Sequence, residues 1–392
     1  MKAKSIKGKS TEEIRNALEQ SMTNASLPDR HGFTPTLAIV FISIKQDRAA
    51  VSDLLHQHNI DVFGCTSCGE FINEHQSEGE TAILLLDVSR EYYTILIEDV
   101  NNDDVGRAAS HLAKKALHHF KTQTFLLTCC GIYGDGQYFD GDTMVKTLVR
   151  ELGEDCVFFG GMAGDDWSIM NSYVFTHQKE SDYGIAALVF DAAKISLHGM
   201  ATHGWKPLGI TRKVTKSSGN KIYSIDGKPA VEMYLKYLGM TEKTGDESFD
   251  IFKDLSVHFP FIAKRKDGET IIKSPRSIDR ESGALIMDIE MEEGSEFHFT
   301  TPPDFEISKE IISEATTLKN SLESKPDALL IFSCAGRPPV LGPLTTVENE
   351  GLAKVWQVPM AGFYSYGEFG RTKNGKQHFH SAMCCWVALK EK

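Results

Sequence analysis

The 392-residue chain is longer than one hydrophobic core usually serves, so it predicts two to three domains rather than a lone small module. Hydrophobic residues at 41% and charged residues at 24% are those of a globular protein, which excludes disorder as a global description. Lys plus Arg number 42 against 54 Asp plus Glu, a formal net charge of -12, and no strongly basic patch overrides it, so nucleic acid is not an expected partner.

Lys2, Lys4, Lys7 and Lys9 lead into a polar helix without the apolar run of a signal peptide. Residues 37–44, interrupted by Ser43, fall well short of the roughly 20 apolar residues that span a bilayer. Neither export nor membrane insertion is expected. The eight cysteines, four of them in the vicinal pairs Cys129-Cys130 and Cys384-Cys385, read as reduced thiols of a cytoplasmic protein.

Along the chain, Ser10-Thr11-Glu12-Glu13 has capping-box spacing and opens a helix carrying Ile14, Ala17, Leu18 and Met22 on one face. A turn-rich stretch at 28–35 precedes a buried strand at 37–42, a helix at 48–58, and strands at 61–64, 82–88 and 92–97. The same order recurs, with a strongly periodic helix at 105–120, a strand at 124–130, a helix at 143–152 and strands at 157–160, 185–190 and 194–200. It recurs once more from 304, with a helix to 322, a strand at 328–334, a helix at 347–356 and strands at 360–366 and 378–389. Between them, residues 205–303 hold a turn at Asp226-Gly227, a helix opened by Pro229 and strands at 271–279, 284–289 and 296–299, which match a fourth, degenerate module. The expected fold class is therefore α/β with mixed α+β sheets, in two domains built from about four repeated helix-strand-helix-strand-strand-strand modules.

Three modules share a sharper signature, glycine, short spacer, glycine, acid: Gly64 to Glu70, Gly160 to Asp165, and Gly362 to Glu368. Glycine supplies freedom for a sharp turn and the acid an acceptor near exposed N–H groups, which serves a ligand loop and a purely architectural turn equally. Ser333-Cys334-Ala335-Gly336-Arg337 ends another strand of the last module. Arg337 would face Glu368, clamp a ligand carboxylate with its planar fork, or hold its own loop. Cys334, Arg337, Tyr364, Tyr366 and Glu368, with Glu70 and Asp165 in the other modules, form the expected ligand site, at strand ends where open α/β sheets bind ligands.

Cys65-Thr66-Ser67-Cys68 is half a zinc site with no second half, and Gly69 stands where covalent haem attachment needs histidine. No metal is expected. His203, His258 and His380 lie beside aromatic or apolar residues and are the candidate axial ligands for non-covalent haem. Nucleophilic catalysis by Cys334 or Cys130 would need an activating histidine that no sequence feature assigns, and the glycine-rich run from Gly131 to Gly136 lacks the lysine and Ser/Thr of a phosphate loop.

Taken together, Gly64 to Glu70, Gly160 to Asp165, Asp226-Gly227-Lys228-Pro229-Ala230, Ser333 to Arg337 and Gly362 to Glu368 resemble the FIST sensory proteins over nearly the whole chain. Phe379-His380-Ser381 departs from the His-Asn pair more usual in that pattern. The resemblance implies a FIST N-terminal-like domain at 1–204, a connecting hairpin and helix at 205–240 and a FIST C-terminal-like domain at 241–392. It implies a non-catalytic cytoplasmic sensor of an amino-acid-like ligand, acting through a histidine kinase, a chemotaxis receptor or a cyclic-dinucleotide enzyme. A haem-based nitric oxide sensor regulating a histidine kinase is the first alternative, and an enzyme using Cys334 or the Cys65/Cys68 pair is the second.

Overall fold

The computed structural model describes residues 1–23, 32–134, 136–255, 258–265, 268–301, 304 and 306–392. The expected turn at 28–35 thus lies, as far as residue 31, outside the described residues. The first segment runs β1 (Lys2–Gly8), α1 (Thr11–Thr23), β2 (Leu37–Ser43), α2 (Arg48–Gln57), β3 (Asp61–Ser67), a hairpin of β4 (Glu70–Ile72) and β5 (His75–Ser77), and β6 (Thr81–Asp87). The second runs β7 (Tyr93–Asp99), α3 (Val105–Leu117), β8 (Gln123–Cys129), the short pair β9 (Ile132–Tyr133) and β10 (Gln137–Tyr138), α4 (Gly141–Leu152), β11 (Val157–Met162), a hairpin of β12 (Val174–Phe175) and β13 (Glu180–Ser181), and β14 (Gly184–Asp191).

The third opens with β15 (Ile195–Thr202) and is then interrupted. The interruption comprises β16 (Pro207–Ser218), β17 (Lys221–Ile225), β18 (Lys228–Pro229), α5 (Ala230–Tyr237), α6 (Ile251–Leu255), β19 (Phe261–Lys264), β20 (Thr270–Lys273), β21 (Pro275–Asp279), β22 (Ala284–Met287) and β23 (Glu296–Thr300). The segment resumes with α7 (Ile307–Ser321), β24 (Ala328–Cys334), α8 (Arg337–Leu341), α9 (Thr345–Trp356), β25 (Met360–Ser365), a hairpin of β26 (Glu368–Arg371) and β27 (Gln377–His380), and β28 (Cys384–Glu391).

Three six-stranded sheets share one strand order: β1-β6-β2-β3-β12-β13, β7-β14-β8-β11-β26-β27 and β15-β28-β24-β25-β4-β5. In each, the third and fourth strands are parallel and the first three are mutually antiparallel neighbours. The last two strands are supplied by another segment. Hairpin β4–β5 extends the third sheet, β12–β13 the first, and β26–β27 the second, so the exchange of hairpins closes into a cycle.

Two expectations are corrected here. Strands at 92–97 and 194–200 open the second and third sheets instead of closing the first and second, because β7 pairs with β14 and β15 with β28. Residues 205–303 are not a fourth copy. They form an antiparallel sheet, β20-β19-β23-β16-β17-β22-β21 with β18 beside β17, inserted between β15 and α7. The lysine-rich start forms strand β1, whose alternation buries Ile6 and Gly8 while Lys2 stays exposed.

Local signals explain the helix starts. Ser10 Oγ accepts the Glu13 N–H at 3.2 Å and the Glu13 carboxylate accepts the Lys9 N–H at 2.8 Å, a reciprocal cap. Asp47, Asp104 and Asp140 cap α2, α3 and α4 by accepting the N–H three residues on, at 2.8–2.9 Å. Both faces of β2 are buried: Leu37, Ile39 and Phe41 enter the main core, whereas Ala38, Val40 and Ile42 pack under α1 and α2. Phe41 meets Phe363 at 4.7 Å and Phe332 at 6.1 Å, centroid to centroid, joining the first and third sheets. The inserted sheet has its own core around Val214, Tyr234, Phe261 and Phe297.

Candidate functional site

The parallel strands β3, β11 and β25 end in the glycine-acid turns, and these turns bond to one another in a ring. Tyr364 N–H donates to Gly69 O (2.9 Å) and Cys68 N–H to Tyr364 O (3.0 Å). Gly164 N–H donates to Thr66 O (2.9 Å) and Asp166 N–H to Ser67 O (3.0 Å). Met162 N–H donates to Gly367 O (2.8 Å) and Tyr366 N–H to Met162 O (3.2 Å), which closes the circuit. Each first glycine lies opposite a phenylalanine of the incoming hairpin: Gly64 with Phe175, Gly160 with Phe369, Gly362 with Phe71.

Two of the three acids are equivalent. Glu70 accepts the Ser67 hydroxyl and the Glu80 N–H (3.0 Å). Glu368 accepts the Ser365 hydroxyl (2.8 Å) and the Met383 N–H (3.1 Å). Both clasp the turn to the strand that follows the hairpin. Burial pushes both carboxyls up to about 8, against the hydrogen bonds that favour ionisation. Asp165 differs, accepting the Tyr366 hydroxyl (2.5 Å), the Ser168 hydroxyl (2.7 Å) and the Met170 N–H (2.8 Å). It thereby anchors a loop in which Asp166, Trp167 and Ile169 all take positive φ. For tryptophan and a β-branched isoleucine that backbone is strained, and the loop sets Trp167 out at the surface, 40% exposed.

The other expected residues part company. Arg337 is fully buried and clamps the chain's own Glu348 through Nε (3.1 Å) and the second terminal nitrogen, while its remaining terminal nitrogen donates to His203 O (3.0 Å) and Ala382 O (3.1 Å). Burial alone would lower its pKa, and the Glu348 charge more than reverses that. Its fork is committed within the fold, to Glu348 and not Glu368. Tyr364 packs on Phe71 with its hydroxyl toward Asn349, whereas Tyr366 reaches Asp165, so the two do not form one wall. Cys334 is buried beside Glu368, and burial followed by that carboxyl pushes its thiol up to about 12.

Unspent bonding capacity lies instead where the inserted sheet meets the ring. Arg276, on β21, makes no hydrogen bond with any described residue; its guanidinium carbon sits 5.4 Å from the Tyr138 ring and 5.3 Å from the Phe252 ring. Phe252 on α6 is 6.3 Å from Trp167, which is 5.7 Å from Tyr366, so aromatic rings from the ring loops and the insertion line one seam. Arg276 is near enough to pull the Glu368 and Cys334 pKa values down against burial. Asp288 lies in the same neighbourhood: burial raises its pKa, Arg276 and the adjacent Ser381 hydroxyl oppose the rise, and Oδ1 accepts the Ser274 N–H at 2.8 Å. Its Oδ2 is shut off from solvent and, like the hydroxyls of Ser274 and Ser381, makes no hydrogen bond of standard geometry with a described residue. Orphaned buried groups of this kind call for a ligand group or a bound water. No sequence signal marked Arg276 or Asp288, since each is a single charge in an unremarkable strand or turn.

His380 does not suit haem. His380 is fully enclosed, its Nε2 is 3.1 Å from Gly370 O, and its pKa falls to about 3 through burial. A macrocycle cannot reach an imidazole with no exposed surface unless β27 moves. His203 spends Nδ1 on the Trp205 N–H (3.0 Å), and His258 Nδ1 lies 2.8 Å from Leu255 O. Among the described residues no group of three or more His, Cys, Asp or Glu is placed to hold a metal ion. Cys65 and Cys68 are pushed up to about 12 by burial, the opposite of an activated nucleophile. No helix among the described residues is long and apolar enough to cross a membrane.

Residues 36–228 match the FIST N domain and residues 230–371 the FIST C domain. An uncharacterized protein of Methanocaldococcus jannaschii is 26% identical over 328 residues, covering 76% of this chain. The match spans 60% of that relative's length.

Proposed function

The chain belongs to the FIST family, with a FIST N domain followed by a FIST C domain, and from that premise we propose that it senses a zwitterionic, amino-acid-like ligand at the seam between the turn ring and the inserted sheet. FIST domains are sensory domains that bind small ligands. What carries the choice of ligand and place is one pairing, an arginine with no hydrogen-bond partner among the described residues beside a buried carboxylate oxygen with none. Arg276 takes the ligand carboxylate with its planar fork, Asp288 with Ser381 takes the ammonium, and Tyr138, Trp167 and Phe252 take the side chain. The signal then passes by contact to a partner, a histidine kinase, a chemotaxis receptor or a cyclic-dinucleotide enzyme, through movement of the inserted sheet.

Calorimetric titration against an amino-acid panel tests the reading. Losing one charge-assisted contact costs about 1.5–3 kcal/mol, so Arg276→Ala should weaken binding roughly ten- to a hundred-fold while cooperative unfolding is retained. Unaltered affinity of Arg276→Ala for a ligand that the wild type binds would refute the site, and a panel with no binder would refute the ligand class.

A further inference from the structure

A second groove lies between the inserted sheet, α4 and the turn joining β26 to β27. It consists of a cavity of about 450 Å³ and a neighbouring one of about 260 Å³ that share Asp142, Lys146, Arg265 and Lys376 in their walls. Volumes of this order suit small-molecule sites. The larger cavity gathers Lys146, Lys264, Arg265, Lys273 and Lys376 from four separate elements, against the carboxylates of Asp142, Glu290 and Glu292. A local surplus of positive charge on a protein of net charge -12 is a marked inversion, and a concave wall concentrates its field.

The cations are unequally spent. Lys146 pairs with Asp142 at 2.6 Å, and Lys273 donates to Glu290 O. The side chains of Lys264 and Arg265 make no hydrogen bond or ion pair with any described residue. Burial lowers the Lys273 pKa although Asp288 and Asp142 oppose it, so the charge of its ammonium is left under-compensated by the fold. The smaller cavity has a different lining: Val145, Val149 and Phe379 form an apolar wall, with Glu154, Gln377 and His378 beside it.

We propose that this groove is a second ligand site, beside the seam at Arg276, which takes a phosphorylated small molecule of nucleoside-phosphate chemistry. The phosphates sit in the larger cavity against Lys264, Arg265 and Lys273, where point charges from a lysine cluster neutralise them without a fixed coordination geometry. The flat organic group lies in the smaller cavity against Phe379 and the two valines. A simple dicarboxylate has no group for that second cavity, which is why the phosphorylated organic ligand is favoured.

Inorganic pyrophosphate and ADP are the probes, titrated calorimetrically into the full chain. Both should bind, ADP the tighter, and affinity should fall as salt is raised. Arg265→Ala should weaken pyrophosphate binding about tenfold or more and Lys273→Met likewise, each with an unchanged circular dichroism spectrum. If Lys273→Met fails to fold, Arg265→Ala and Lys264→Ala carry the test. No binding of either probe at about 10 mM, or equal binding to wild type and Arg265→Ala, overturns the site. ADP binding no tighter than pyrophosphate overturns the role of the smaller cavity. Arg276→Ala should leave both probes bound as in wild type; a parallel loss would show that the groove is not a second site.

Discussion

Glu70 and Glu368 carry the most direct pH consequence. Each is held near pKa 8 in the folded chain, chiefly by burial, against an ordinary value of 4.5. The folded state therefore binds more protons than the unfolded state between those values, and stability falls as pH rises through that window. His203 and His380 act oppositely, since burial lowers them to about 4 and 3, but their effect is complete once pH exceeds the unfolded value near 6.5. From pH 6.5 to 8 the carboxyls act alone among these four, and the melting temperature should decline. The double variant Glu70→Gln/Glu368→Gln should flatten that decline, and an unchanged slope in thermal melts would show that these carboxyls are not its source. Arg337→Ala, unlike Arg276→Ala, should lower stability by about 3–5 kcal/mol in denaturant titration, because it leaves Glu348 buried and uncompensated.

At the scale of elements, the exchanged hairpins depend on close approach between strand and ring. A Cβ added at Gly362 would lie 2.2 Å from the Phe71 ring and 2.3 Å from Ile331 O, so neither neighbour can simply turn away. Gly362→Ala should destabilise the protein by about 1–3 kcal/mol, read as a shift in denaturant midpoint without a change in slope. Helix positions were largely legible in the sequence. The 3.6-residue period of Val105, Ala108, Ala109, Leu112, Ala113, Ala116, Leu117 and Phe120 is local; the first six are buried in α3, whereas Leu117 is exposed and Phe120 lies past the helix end. The hairpins were not legible as exchanged, because β4, β12 and β26 each need partners far away along the chain and no local periodicity encodes which sheet a short strand joins.

For the whole molecule, the insertion is separable. Pro207 and Thr300 lie opposite each other in β16 and β23, so its two ends meet, and most of its apolar residues pack in their own cluster, with Ile262 and Ile272 joining the main core and Phe252 and Arg276 touching the body at the seam. Replacing residues 207–300 by a short loop should leave one cooperative thermal transition by circular dichroism while abolishing binding at the seam. Loss of cooperative unfolding would show that the three-sheet body needs the insertion. The sequence by itself determined the α/β class, the recurring glycine-acid turns and the family, because these rest on local periodicity, turn chemistry and motif order. Only the tertiary structure decided that Arg337 is bound to Glu348, that Arg276 and Asp288 retain bonding capacity, and that residues 205–303 are not a fourth copy. The reason is physical: whether a charged side chain is spent or available depends on which partners folding brings within about 3 Å of it, and for these residues the partners lie on other strands, helices and loops.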